Sequence, residues 1–249
     1  FLSFFPHISI ILNIEEDHMD FFKDIDDIRR SFRKFADILP ADGSLIINKG
    51  IDRLEELVDG LQCNIITFGS DNGADYSYTD AVYDTLGRGS YTLLKNGKRC
   101  GTVKLGVVGE HNILNSLSVI ALTDILGIDS ATVLDALSAF HGTDRRFEHK
   151  GEIGGIQILD DYAHHPTEIT ATLKAAANYP HKTLWCVFQP HTYTRTKAFL
   201  QDFAKALSLA DKVVLTDIYA AREKNTIGIS SMDLLRELEK TGTECYYFE

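Results

Sequence analysis

No stretch of this sequence approaches the roughly 18 consecutive apolar residues that a membrane-spanning helix requires. Basic blocks are missing too, and a net charge of −11 argues against an extended nucleic-acid surface. An acidic chain still binds anions locally, through a few arginines and helix N-termini. The four cysteines, Cys63, Cys100, Cys186 and Cys245, are scattered, with no C-x-x-C pair and no histidine cluster beside them. In a chain this long, that spacing is expected of reduced thiols in a cytosolic protein rather than of a disulfide scaffold. There is no G-x-x-x-x-G-K-[ST] phosphate loop and no G-x-G-x-x-G dinucleotide fingerprint. The glycines at 69–73, 87–89 and 151–155 read as turn residues. No signal peptide is visible, although a chain that begins with Phe1 leaves an upstream leader open.

What is present is an α/β pattern. With 249 residues, 44% of them hydrophobic, the chain suffices for one large or two medium domains, and it reads as soluble and globular. "ISIILNI" (8–14) is a continuous apolar run of the kind found in buried parallel strands. "DIRRSFRKFADIL" (27–39) places Ile28, Phe32, Phe35 and Leu39 on one helical face. A strand at 43–48, a short helix at 51–60 and a strand at 64–69 complete βαβαβ, hence a parallel sheet. Residues 75–108 change character: two strand-like runs flank Asn96-Gly97, a hairpin signal, and predict an antiparallel patch. Helical spacing returns at 112–127 and 130–140, with Asp129 or Ser130 as the cap of the second helix.

A charged, glycine-containing break follows at 141–155. Beyond it the spacing predicts strand 156–160, a helix from Pro166, strand 183–188, helix 196–208, strand 212–217, helix 230–240 and strand 244–249. The expected organisation is two α/β domains, 1–143 and 144–249, with both chain ends looking cut.

Ionisable residues concentrate where strands end, the edge of an open parallel sheet that faces a ligand crevice. "NIEEDHMDFF" (13–22) surrounds His18 with Glu15, Glu16, Asp17 and Asp20, a field that attracts a divalent cation, though a solvated turn has the same composition. "GEHNILN" (109–115) puts Asn112 and Asn115 on one face near a helix start, where amides suit an adenine edge or simply an ordinary capped helix. In "RRFE" (145–148) a guanidinium can reach a phosphate, or pair with Glu148 or Asp144 in a hinge. "ILDDYAHHPTEITATL" (158–173) crowds Asp160, Asp161, Tyr162, His164 and His165 before a helix. Pro166 fits its first turn and Glu168 its positive end, but neither explains the other polar residues. "FQPHTYTRT" (188–196) repeats the design with His191 and Arg195 four apart, and "DIYAARE" (217–223) ends a third strand. Neighbouring strand ends can gather His164, His191 and Arg195 around one anionic or carboxylate-bearing ligand.

Together, in this order along the whole chain, these stretches resemble the Mur ligases, the ATP-dependent amide-forming enzymes of peptidoglycan synthesis, and within them the alanine-adding branch. The resemblance implies part of a central ATPase domain, mostly parallel with an antiparallel patch, followed by a C-terminal Rossmann-like domain. It implies ligation of L-alanine to UDP-N-acetylmuramate in the cytoplasm, through an acyl phosphate, with ATP and Mg2+ and with no nucleic-acid partner. By resemblance, His18 would ligate magnesium. Asn112, Asn115, Arg146 and Asp161 would hold the nucleotide, with Arg146, Asp161 and His164 catalytic. Tyr162, His164, His191 and Arg195 would surround the incoming L-alanine and the reacting carboxylate.

The sequence also departs from the family pattern. The family's N-terminal UDP-binding domain, its phosphate loop and the metal-sharing glutamate lie upstream of the His18 region and are not within these residues. The expectation is therefore that this chain alone does not turn over. Thr192 stands where many relatives carry a second basic residue, and "YAARE" (219–223) replaces a proline-glycine version. Another amide ligase of the superfamily, or a nucleotide-binding module without catalysis, are the rival readings.

Overall fold

The computed structural model describes residues 2–18, 21–70 and 73–249. It divides into two compact units, residues 1–84 with 88–141 and residues 85–87 with 142–249. Among the described residues no helix is long and apolar enough to cross a membrane.

In the first unit, six strands form one sheet in sequence order: β1 (Ile8–Ile11), β2 (Ser44–Asn48), β3 (Asn64–Phe68), β4 (Tyr76–Tyr83), β5 (Arg88–Lys95) and β6 (Lys98–Val108). The first four pair parallel and the last three antiparallel. Between the early strands run α1 (Ile25–Ala36), capped by Asp24, and α2 (Leu54–Val58). Alternation along β2 explains the layering. Leu45 and Ile47 point into a core with Ala36 and Leu57, whereas Ile46 joins a second core with Phe68, Ile113 and Leu117. That second core is roofed by α3 (Glu110–Ile125); α4 (Ser130–Ala139) follows, its N-cap Asp129 accepting from Thr132 N–H.

Asn96 and Gly97 both have positive φ, as a tight two-residue hairpin between β5 and β6 demands. The antiparallel patch has three strands rather than the two expected, because "YSYTDAVY" also pairs as β4. Gly106 admits no side chain: a Cβ there would lie 2.4 Å from the Phe140 carbonyl and 2.6 Å from that of Ser138.

The second unit corrects two expectations. Residues 148–153 form β7 (Glu148–Ile153), which pairs antiparallel with β8 (Ile156–Asp160) as a separate two-stranded sheet. The charged "EHKGEI" falls in the expected break at 141–155 because it lacks an apolar run, and most of its residues are exposed. The parallel sheet is instead β9 (Trp185–Phe188), β10 (Lys212–Leu215) and β11 (Glu244–Tyr247), in the order β11-β10-β9. Against it pack α5 (Pro166–Ala177), α7 (Leu200–Leu207) and α8 (Ser231–Lys240), closing a core of Phe188, Phe203, Leu207, Val213, Leu215 and Leu234. The single helix expected over 196–208 is two, because α6 (Tyr193–Ala198) ends at Phe199 with φ −110° and α7 starts anew.

Candidate functional site

In the first unit the candidate residues leave the sheet at two places. His18 follows β1 with a left-handed backbone (φ 53°) and an imidazole 69% exposed, its Nε2 3.8 Å from Asp17 Oδ2. Glu15 Oε1 accepts from Asn13 Nδ2, and Asp20 lies outside the described residues. Among the described residues no three histidine, cysteine, aspartate or glutamate side chains gather as a metal cluster. His18 and Asp17 thus fit only part of a magnesium shell, whose preferred ligands are oxygens, several of them from water or phosphate.

Gly109 begins α3 with φ 92° and ψ 148°, a backbone shape that a side chain would strain. On the first turn, Asn112 Nδ2 donates to the Val108 carbonyl at 2.8 Å and to His111 Nε2 at 3.1 Å. Asn115 Nδ2 donates to Asn112 Oδ1 at 3.3 Å. Asn112 is therefore engaged through both ends of its amide, and both residues are half-buried.

The second unit draws its six candidates into one connected group. Asp161, just past β8, accepts Phe147 N–H at 2.9 Å and Ala163 N–H at 2.8 Å, so its carboxylate fastens the 145–147 turn to the strand end. Arg145 and Phe147 there have φ of 57° and 51°, and Tyr162 N–H donates to the Arg145 carbonyl. Arg146 pairs neither with Glu148 nor with Asp144; its Nη1 lies 3.4 Å from Glu168 Oε1.

Glu168 is the hub that the sequence showed only as a helix-start charge. It accepts His164 N–H at 3.0 Å and His165 N–H at 3.3 Å, and closes a capping box with His165 at the start of α5. Burial favours its neutral form, but the His164 N–H and the His164 and Arg146 side chains prevail and hold its carboxyl below the ordinary range.

The rings form a continuous chain: Tyr162 to His164 with centroids 5.2 Å apart, His164 to His191 at 5.8 Å, and His191 to Tyr219 at 5.4 Å. Hydrogen-bond partners assign the tautomers. His164 Nδ1 lies 2.8 Å from the Tyr162 carbonyl, which only accepts, so Nδ1 carries a proton and in the neutral ring the lone pair is on Nε2. His191 Nδ1 lies 3.1 Å from Arg195 Nη1, which only donates, so the neutral His191 ring carries its proton on Nε2. One imidazole thus offers an acceptor, and the other offers a donor beside a guanidinium. This is the polarity that an α-amino acid needs, acceptor for the amine and donors for the carboxylate. Tyr219 was missed as a residue of this group because only the backbone bridge of His191 to Tyr219 brings it there.

Residues 2–123 match the Mur ligase middle domain, and residues 145–249 match the Mur ligase glutamate ligase domain. The chain belongs to the Mur ligase family. This Mur ligase chain is 56% identical over 250 residues to the UDP-N-acetylmuramate–L-alanine ligase of Lachnospira eligens, covering 100% of itself and 54% of that protein. It is 55% identical over 257 residues to the enzyme of the same name from Lachnoclostridium phytofermentans, covering 99% and 55%. The chain therefore spans about half the length of the curated relatives it matches. The crystal structure of UDP-N-acetylmuramate-alanine ligase MurC from Thermotoga maritima superposes with a TM-score of 0.77 at 32% identity, over 100% of this chain and 52% of that one. MurF from Acinetobacter baumannii shares the fold, with a TM-score of 0.79 at 19% identity over 98% and 51%.

Proposed function

We propose that this Mur ligase chain is part of an enzyme that joins L-alanine to UDP-N-acetylmuramate at the expense of ATP, in the cytoplasm. The observation that carries this reading is the opposed polarity of His164 against His191 and Arg195, a match to both ends of an amino acid. The name shared by the relatives at 55–56% identity supports the same choice. Residues 1–143 would contribute to the ATP-binding domain and 144–249 to the ligase domain.

In the proposed reaction, the substrate carboxylate attacks the γ-phosphorus of ATP and the bond to ADP breaks. The amine of L-alanine then attacks the acyl carbon, phosphate leaves, and the amine's proton passes to a base. His164 Nε2, which carries the lone pair, is the group assigned to that proton. Arg195 and the Nε2–H of His191 would hold the alanine carboxylate, with Tyr162 closing the wall beside His164. Arg146, always charged and 54% exposed, would meet the transferring phosphoryl group. Asp161 would act mainly by keeping the Arg146 turn in place. Asn112 and Asn115, linked through their amides, would receive the adenine. Magnesium, when bound, would neutralise phosphate charge, and His18 would supply one of its ligands.

The test is amino-acid-dependent phosphate release by the complete protein encoded by the gene, with UDP-N-acetylmuramate, ATP and a panel of amino acids in competition. Preference for L-alanine is the expected result. Preference for another amino acid, or for a longer peptide, would assign the chain to a different ligase of the family.

A further inference from the structure

His191 precedes α6 and Arg195 lies in its first turn, and the turn between them is held in an unfavourable shape at Thr192. Thr192 has φ 67° and ψ 145°, a combination nearly confined to glycine and worse for a β-branched residue. Such a conformation persists only where its surroundings over-determine it. Here residues 217–223 do so. Thr192 N–H donates to the Tyr219 carbonyl at 2.9 Å, and Tyr219 N–H donates to the Pro190 carbonyl at 2.8 Å. Gln189 Nε2 donates to the Asp217 carbonyl at 3.3 Å.

Glu223 completes the zip through Thr194, the residue next to Arg195. Its Oε2 accepts Thr194 N–H at 3.0 Å, and its Oε1 accepts the Thr194 hydroxyl. The carboxylate thus takes up the first turn of α6 from outside the helix, a favourable place for a negative charge. Burial works against that charge, but hydrogen bonds from Thr194, the Tyr193 backbone and Thr192 outweigh it and hold the carboxyl below its ordinary range. Ala221, in the same loop, is itself left-handed at φ 52°.

We infer that Glu223 is a positioning residue for the amino-acid site: through Thr194 it clamps the strained turn at Thr192 and so holds His191 and Arg195 where they take the substrate carboxylate. The inference rests on the amino-acid reading above. It assigns a role to the third motif loop, which the proposed chemistry does not otherwise use.

The experiment compares the complete wild-type protein with its Glu223→Ala and Thr194→Val variants, measuring KM separately for L-alanine and for ATP, together with the thermal midpoint. Loss of a charge-assisted hydrogen bond corresponds to about a ten- to hundredfold effect. Glu223→Ala should raise KM for L-alanine by that factor while KM for ATP stays within about twofold. Thr194→Val keeps the backbone link and loses only the hydroxyl link, so its rise should be smaller and confined to L-alanine. It also carries the test alone if Glu223→Ala does not fold. Equal rises in both KM values, or an unchanged KM for L-alanine, would overturn the clamp while leaving the amino-acid site standing. A wild-type protein with no L-alanine-dependent turnover would remove the site reading and the clamp together.

Discussion

His164→Ala separates what the histidine contributes to the fold from what it contributes to a ligand. In the folded unit its Nδ1–H donates to the Tyr162 carbonyl at 2.8 Å, and the ring, 28% exposed, lies 3.6 Å from Glu168 Oε2. Losing one neutral, partly exposed hydrogen bond costs about 0.5–1.5 kcal/mol. The contact with Glu168 is an ion pair only when the ring is protonated, and exposed pairs contribute about 1 kcal/mol at most. A total near 2 kcal/mol lowers the melting midpoint of a unit this size on the order of 5–10 °C, which leaves it folded at 25 °C. Removing a positioned base should instead slow turnover by about 10²–10⁴-fold. The assay is L-alanine-dependent phosphate release by the complete protein at 25 °C, run beside thermal denaturation of the same preparation. Activity within about threefold of wild type in a folded variant would refute the role of Nε2. Loss of activity that merely tracks loss of folded protein would make His164 a structural residue.

Two further outcomes follow from the local geometry. Glu168 has its pKa lowered on folding, so its contribution is complete above the unfolded carboxyl value of about 4.3 and is lost as pH falls through the folded one. The stability gap between wild type and Glu168→Gln should therefore be present at pH 7 and close toward pH 3; a gap that widens in acid would contradict the assignment. Gly106→Ala forces a Cβ against two backbone carbonyls at 2.4 and 2.6 Å that cannot swing away. It should cost about 1–3 kcal/mol in urea denaturation, and an unchanged midpoint would show that the end of α4 is not packed there as described.

The parts of the fold legible in the sequence are those where one physical signal dominates. The apolar core of β2 between two helical patterns gave βαβ, Asn96-Gly97 gave its hairpin, and Pro166 with Glu168 gave the start of α5. What escaped had no such signal. Strand β8 was expected at 156–160, but its partner β7 is charged and mostly exposed and turns on Gly154-Gly155, so neither alternation nor an apolar run marks it. The break at Phe199 interrupts a helical periodicity that continues through it.

The candidate site was legible in the residues it gathers. Polar residues clustered at strand ends pointed to His164, His191 and Arg195, which the second unit does bring together. The group to which each proton belongs was not legible, since the partners are a carbonyl at Tyr162 and a guanidinium one helical turn away. Tyr219 reaches the group through a backbone bridge and Glu223 through its carboxylate on Thr194, beside a left-handed Thr192, features that side-chain spacing does not encode.

The most direct test is a crystal structure of the complete protein with L-alanine bound. The alanine carboxylate should lie within hydrogen-bond reach of Arg195 and of His191 Nε2, with the amine against His164 Nε2. L-Alanine bound through other side chains, with these three residues turned to solvent, would contradict the amino-acid site.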